Sequence, residues 1–199
     1  MNIISNNCFS AVLYKDYIKC EFQNPFMWTI IDFDSMCKLM NEYENIDFND
    51  YELIKNDNWE FFIKINDKII VRQYHYRFNK AINGIKIICV DVHSNKIWNY
   101  ICEKYESRLK RMKDEPKFVI EFNDFLKNYN KETFEKFLEM PVKYKTVVFH
   151  NYKEFRDIKK ENCLMIYDEN IEKPGKDAGA YVVPTYYKKV LEFFNGKAL

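Results

Sequence analysis

Ile3-Ile4-Ser5-Asn6-Asn7-Cys8 is the stretch on which the fold of this chain turns. Two β-branched residues run straight into two amides and a thiol, and the small residues Ser10 and Ala11 follow. β-Branched side chains favour extended backbone, while Asn and Ser favour turns and helix caps. The stretch therefore predicts a first strand over residues 2–7 whose end delivers polar side chains to a turn.

Later segments repeat the pattern. Residues 27–31 read as a short buried strand after the break at Pro25. Asp32 or Asp34 caps a helix carrying Met36, Leu39, Met40 and Tyr43 on one stripe. Residues 61–65 alternate apolar and polar positions, Asn66-Asp67 makes a turn, and residues 68–73 return as a hairpin. A run rich in Ile and Val over 85–92 has the character of a strand buried on both faces. A long helix follows, bearing Trp98, Ile101, Cys102, Tyr105, Leu109 and Met112, and Pro116 is expected to end it. Strands are expected at 117–122, 145–150 and 163–167, with a helix capped by Asn130 between the first two. Residues 168–184 read as a surface loop, and a last helix begins near Thr185 and stops at Asn195-Gly196. Strands alternating with helices predict an α/β layered fold: a central, largely parallel (mixed) sheet with helices on its faces and one β-hairpin excursion. The whole chain, residues 1–199, reads as a single domain.

Composition bounds the function. The chain holds 31 basic and 30 acidic residues, a formal net charge of +1. That balance argues against a nucleic-acid partner held by neutralising many phosphates. Aromatic residues make up 18% of the chain, and an aromatic-rich core explains them more simply than a binding surface does. Only Gly84, Gly175, Gly179 and Gly196 occur, so neither a GxGxxG dinucleotide loop nor a Walker loop is present. The six cysteines show no CxxC pair and no zinc-like spacing, so no metal site is expected and no cofactor is named by the sequence. Neither a signal peptide nor a membrane span is expected, and scattered thiols suit a reducing, cytoplasmic setting.

The expected strands end alike: Asn6-Asn7-Cys8, Asp91 to Ser94, Glu121 to Asp124, His150-Asn151, and Asp168 to Asn170. In open parallel sheets such ends share one edge, outside which ligands bind. The same residue types also collect there simply as helix caps. Cys8 beside an imidazole would make a nucleophilic pair, with His75, His93 and His150 as the available histidines; Cys8 as a buried structural thiol is the competing reading. In Tyr74-His75-Tyr76-Arg77, alternation gives His75 and Arg77 one face, and a stacking platform with a basic neighbour suits a sugar or a phosphate; an edge strand with ordinary aromatic packing is the competing reading. Arg108 and Arg111 stand one helical turn apart and can converge on one anion, or else line a solvated face. The candidate site is therefore Cys8 and His75 as reactive groups, with Asn6, Asn7, Tyr76, Arg108 and Arg111 as binding groups.

Several of these residues carry a resemblance. Ile3 to Cys8 with Ser10, Ala11 and Tyr14, Asn24-Pro25 before the second strand, the acidic start and helix at 34–43, His75-Tyr76 followed by Ala81, and Tyr105, Arg108, Arg111 and Met112 together resemble a bacterial family of unknown function often labelled exopolysaccharide biosynthesis protein. The likeness spans the chain to about residue 150. Ser10-Ala11 stands where that family has glycines, and Tyr105 where it has tryptophan. The resemblance implies a role in cell-surface polysaccharide assembly, with a sugar or sugar-phosphate ligand and glycosyltransferase partners. The alternative it leaves open is a non-catalytic interaction module of the same machinery.

Overall fold

The structure, a computed structural model, describes residues 1–7, 9–27, 29–55, 61–66, 69–73, 95–123, 128–171 and 184–196. Four strands form an all-parallel sheet in the order β1-β6-β7-β8: β1 (Asn2–Ser5), β6 (Pro116–Phe122), β7 (Thr146–His150) and β8 (Cys163–Tyr167). Four others form an antiparallel sheet in the order β2-β5-β4-β3: β2 (Thr29–Ile31), β3 (Tyr51–Lys55), β4 (Phe61–Ile65) and β5 (Ile69–Gln73). The α/β architecture, the parallel sheet and the hairpin are as the sequence predicts. The hairpin is larger than an excursion, however, because β2 and β3 join it instead of the parallel sheet. Pro116 opens β6 rather than ending the preceding helix, as suits a residue with no N–H to give the ladder. The expected strand at 85–92 lies outside the described residues, as does most of the loop expected at 168–184.

Alternation along the parallel strands sorts the core into two layers. Ile4, Phe118, Ile120, Phe122 and Val148 face one side. There they meet α2 (Phe33–Glu42) through Met36, Leu39 and Met40, α4 (Lys131–Glu139) through Phe134 and Phe137, and Ile31, Ile63 and Ile65 of the antiparallel sheet. Ile3, Val119, Val147, Phe149 and Ile166 face the other side. They meet α1 (Phe9–Val12), the π-helical turn that continues it over Leu13–Ile18, and α5 (Pro184–Phe194) through Tyr187, Val190 and Phe194. Each such fully buried side chain contributes about 1.5–3 kcal/mol. Local signals fix the helix ends. Asp32 accepts from the Ser35 N–H to cap α2, Asn130 accepts from Thr133 to cap α4, and Gly196 takes φ +72° after α5. The remaining helix, α3 (Asn95–Leu109), precedes β6 and sets Tyr105 against Phe48, whose carbonyl accepts the phenol at 3.0 Å.

Among the described residues no strand runs along the outer edge of β1, and backbone groups there bond to side chains and to β2. Ile3 N–H donates to the Tyr14 hydroxyl, Asn24 Nδ2 donates to Ile3 O at 2.8 Å, and Ile31 N–H donates to Asn6 O at 3.3 Å. Tyr129 donates its hydroxyl to Ile31 O at 2.5 Å. These last two bonds join the two sheets beside the end of β1.

Candidate functional site

The helices that follow β1 and β6 lie on opposite faces of the parallel sheet. After β1 the chain enters α1, in the layer of Ile3 and Val119; after β6 it enters α4, in the layer of Phe118 and Phe122. β1 and β6 are neighbours. Where adjacent parallel strands send their connections opposite ways, the two loops part and leave a place for a ligand outside the carboxyl ends.

At that point four planar polar side chains meet. Asn6 extends the ladder beyond β1: its N–H donates to Val119 O, its Nδ2 to Glu121 O at 2.9 Å, and its Oδ1 accepts from Glu121 N at 3.0 Å. Glu121 is 2% exposed, a carboxylate within an otherwise apolar strand end. Its Oε2 accepts from Asn7 Nδ2 at 2.9 Å and its Oε1 from Asn123 Nδ2 at 2.8 Å. Asn7 is itself oriented by Phe9, whose N–H donates to Asn7 Oδ1 at 2.9 Å. Burying a carboxylate is tolerated only with such donors. Behind the cluster, Ser5 and Ser10 bond hydroxyl to hydroxyl at 2.8 Å. The small-residue pair after Cys8 thus packs α1 closely on β1. On the other face Tyr129 is buried, and burial raises its phenol well above the ordinary range, so it stays protonated as a donor.

One strand further along, His150 and Asn151 end β7. The His150 ring is fully buried, stacked on Phe134 at 4.8 Å between centroids and flanked by Tyr152 and Tyr167. Neither ring nitrogen, nor Asn151 Oδ1, has a hydrogen-bond partner at acceptable geometry. Desolvation pushes the imidazole down to about 4, against the weaker opposing influence of a poorly aligned hydrogen bond to the Tyr152 backbone and of the Glu154 charge. It is neutral at physiological pH. β8 completes the edge with Asp168, which accepts from the Tyr186 hydroxyl of α5 and from Asn170.

The sequence-derived candidates divide into three sets. Asn6 and Asn7 lie together at the carboxyl edge, as the strand-end pattern predicts. Cys8, His75 and Tyr76 lie outside the described residues, as does His93. Arg108 and Arg111 converge, but on the chain itself. Arg108 Nη1 donates to Met27 O at 3.2 Å with its guanidinium 5.0 Å over the Phe22 ring. Arg111 Nε donates to Phe22 O at 2.9 Å and its Nη1 sits 3.7 Å from Glu21. Together they clamp residues 21–27, the segment from which Asn24 reaches Asn2 and Ile3. Glu121, Asn123, His150 and Asn151 also belong to the edge, beyond the seven candidates that the sequence singles out. The signal for Glu121 was its place as the one charged residue in the apolar run Phe118 to Phe122.

Among the described residues no group of three or more His, Cys, Asp or Glu side chains could hold a metal ion, and no helix is long and apolar enough to cross a membrane. Cys37 and Cys163 are free thiols that burial raises to about 12 and about 11, so neither is a ready nucleophile at neutral pH. No protein-family model and no curated protein matches the chain.

Proposed function

We propose that the protein binds a sugar or sugar phosphate of cell-surface polysaccharide assembly at the carboxyl edge of its parallel sheet, between β1 and β6. The observation that carries this reading is the convergence of Asn6, Asn7, Glu121 and Asn123 at the carboxyl ends of β1 and β6, whose following helices lie on opposite faces of the sheet. Carboxylates and amides already oriented by their neighbours suit hydroxyl recognition, because little further side-chain entropy is lost when they bind. The polysaccharide setting rests on the sequence resemblance, and a cytoplasmic location on the scattered thiols. Cys8 follows Asn7 directly in the sequence, and a thiol chemistry pairing it with His75 is part of this proposal. Thermal-shift screening against monosaccharides, phosphosugars and nucleotide sugars tests the reading. Stabilisation by one class, lost in Glu121→Ala, supports it; no stabilisation by any class removes it.

A second reading, an interaction module for glycosyltransferases, draws on one specific feature. Asn6 directs both ends of its amide to the Glu121 backbone, as a purely structural residue would. That reading predicts co-purification with a biosynthetic enzyme, and full complementation by Cys8→Ala and His75→Ala variants.

A further inference from the structure

Among the described residues, the buried side-chain nitrogen and oxygen atoms without a partner are confined to two adjacent residues, His150 and Asn151. Other buried polar side chains are matched: Asn24 by Asn2 and Ile3, Thr29 by Phe26, Asn6 and Asn7 by β6. Native proteins rarely leave such groups idle, and exceptions gather where a ligand completes the set. Here the exceptions stand at the carboxyl end of β7, whose register pairs His150 with Phe122 of β6, next to Glu121.

We infer that His150 and Asn151 form a second recognition subsite on this edge, which takes an uncharged polyhydroxyl ligand through neighbouring hydroxyl groups. This rests on the reading of the edge as a sugar site, and narrows it. A neutral imidazole offers one N–H donor and one acceptor nitrogen, and the Asn151 oxygen offers a further acceptor. The complement is two donors and one acceptor, which two adjacent hydroxyls supply and a phosphate dianion does not. The surroundings agree. The ring is bounded by Phe134 from α4, Tyr152 after β7 and Tyr167 from β8. Among the described residues, Glu154 is engaged with Lys131, Arg156 lies over the Tyr167 ring, and Asp168 is engaged with Tyr186 and Asn170. Desolvation keeps the imidazole uncharged, so His150 itself offers no cation to a phosphate.

The test is an NMR titration of the uniformly 15N-labelled full chain, using methyl mannoside, methyl glucoside and glucose 1-phosphate as probes. The chain holds three histidines, so His75→Gln and His93→Gln assign the His150 ring signals by elimination without altering His150. The expected result is that a neutral glycoside moves the His150 ring nitrogens while they stay in the neutral form, and that Asn151→Ala weakens that glycoside by about tenfold. Binding that shifts the Asn7 and Asn123 amides while the His150 ring signals stay still overturns this inference and leaves the sugar reading standing. So does glucose 1-phosphate binding tighter than either glycoside with the His150 ring becoming protonated. No binding by any probe removes both.

Discussion

Asn6 and Glu121 are joined as though the side chain of one were a strand residue: Asn6 Nδ2 donates to Glu121 O and Asn6 Oδ1 accepts from Glu121 N, at 2.9 and 3.0 Å. An amide has the donor and acceptor of a peptide group, so it can continue a ladder after its own backbone has turned away. Asn6→Ala leaves both Glu121 backbone groups buried and unmatched. Unfolding in urea is expected to show a loss of about 2–4 kcal/mol. Asn6→Asp, which keeps the acceptor and removes the donor, is also expected to lose stability, since its charge would face the Glu121 carbonyl.

The Glu121 side-chain oxygens accept from Asn7 Nδ2 and Asn123 Nδ2. Glu121→Gln turns an NH2 group against one of them. Asn7 cannot flip to accommodate it without losing the bond from the Phe9 N–H. The substitution is therefore expected to destabilise by about 1–3 kcal/mol despite its near-identical shape. A variant as stable as the parent would show that the carboxylate is not set by these amides.

His150 makes acid stability measurable at a single residue. Its folded-state value is lowered to about 4 by burial, while an unfolded chain has a value near ~6.5. The stability this residue contributes is present above about pH 6.5 and is lost as pH falls through 4, because the unfolded chain takes the proton first. His150→Phe keeps a ring against Phe134 and removes the titration. The difference in unfolding free energy between parent and variant is expected to be constant above pH 7 and to shift in the variant's favour by roughly 3 kcal/mol between pH 6.5 and 4. A flat difference over that range would mean that the imidazole is solvated.

Arg108 is buried and holds Met27 O, whereas Arg111 is partly exposed and holds Phe22 O. Arg108→Ala is expected to cost about 1–3 kcal/mol and Arg111→Ala less than about 1. In both, amide hydrogen exchange should quicken over residues 21–31 and little elsewhere. If either arginine also served a phosphate, its alanine variant would weaken phosphosugar binding more than that of the matching neutral sugar.

Much of this architecture could be read from residue order alone. Caps at Asp32 and Asn130, the stop at Gly196 and the strand at Cys163–Tyr167 depend on near neighbours, and those were legible. The carboxyl edge was legible too, because polar residues recur after each apolar run. Strand partnership was not. Thr29–Ile31 pairs with Val71–Gln73 across some forty residues, and alternation tells which face a strand buries but not which strand lies beside it. Arg108 and Arg111 show the same limit: their spacing predicts convergence, and only the fold reveals that carbonyl oxygens of residues 22 and 27 are what they converge on. Glu121 was visible as a charge in an apolar run, but its amide partners come from 114 residues earlier and two later.

The account turns on whether the junction of β1 and β6 takes a sugar. Isothermal titration of the intact chain with monosaccharides and their phosphates, run in parallel on Glu121→Ala and on the distant surface variant Lys136→Ala, addresses this directly. The prediction is saturable heat with at least one sugar-class ligand for the parent and for Lys136→Ala, reduced at least about tenfold in affinity for Glu121→Ala. Equal affinity in all three proteins, or no saturable heat with any of these ligands, would contradict it.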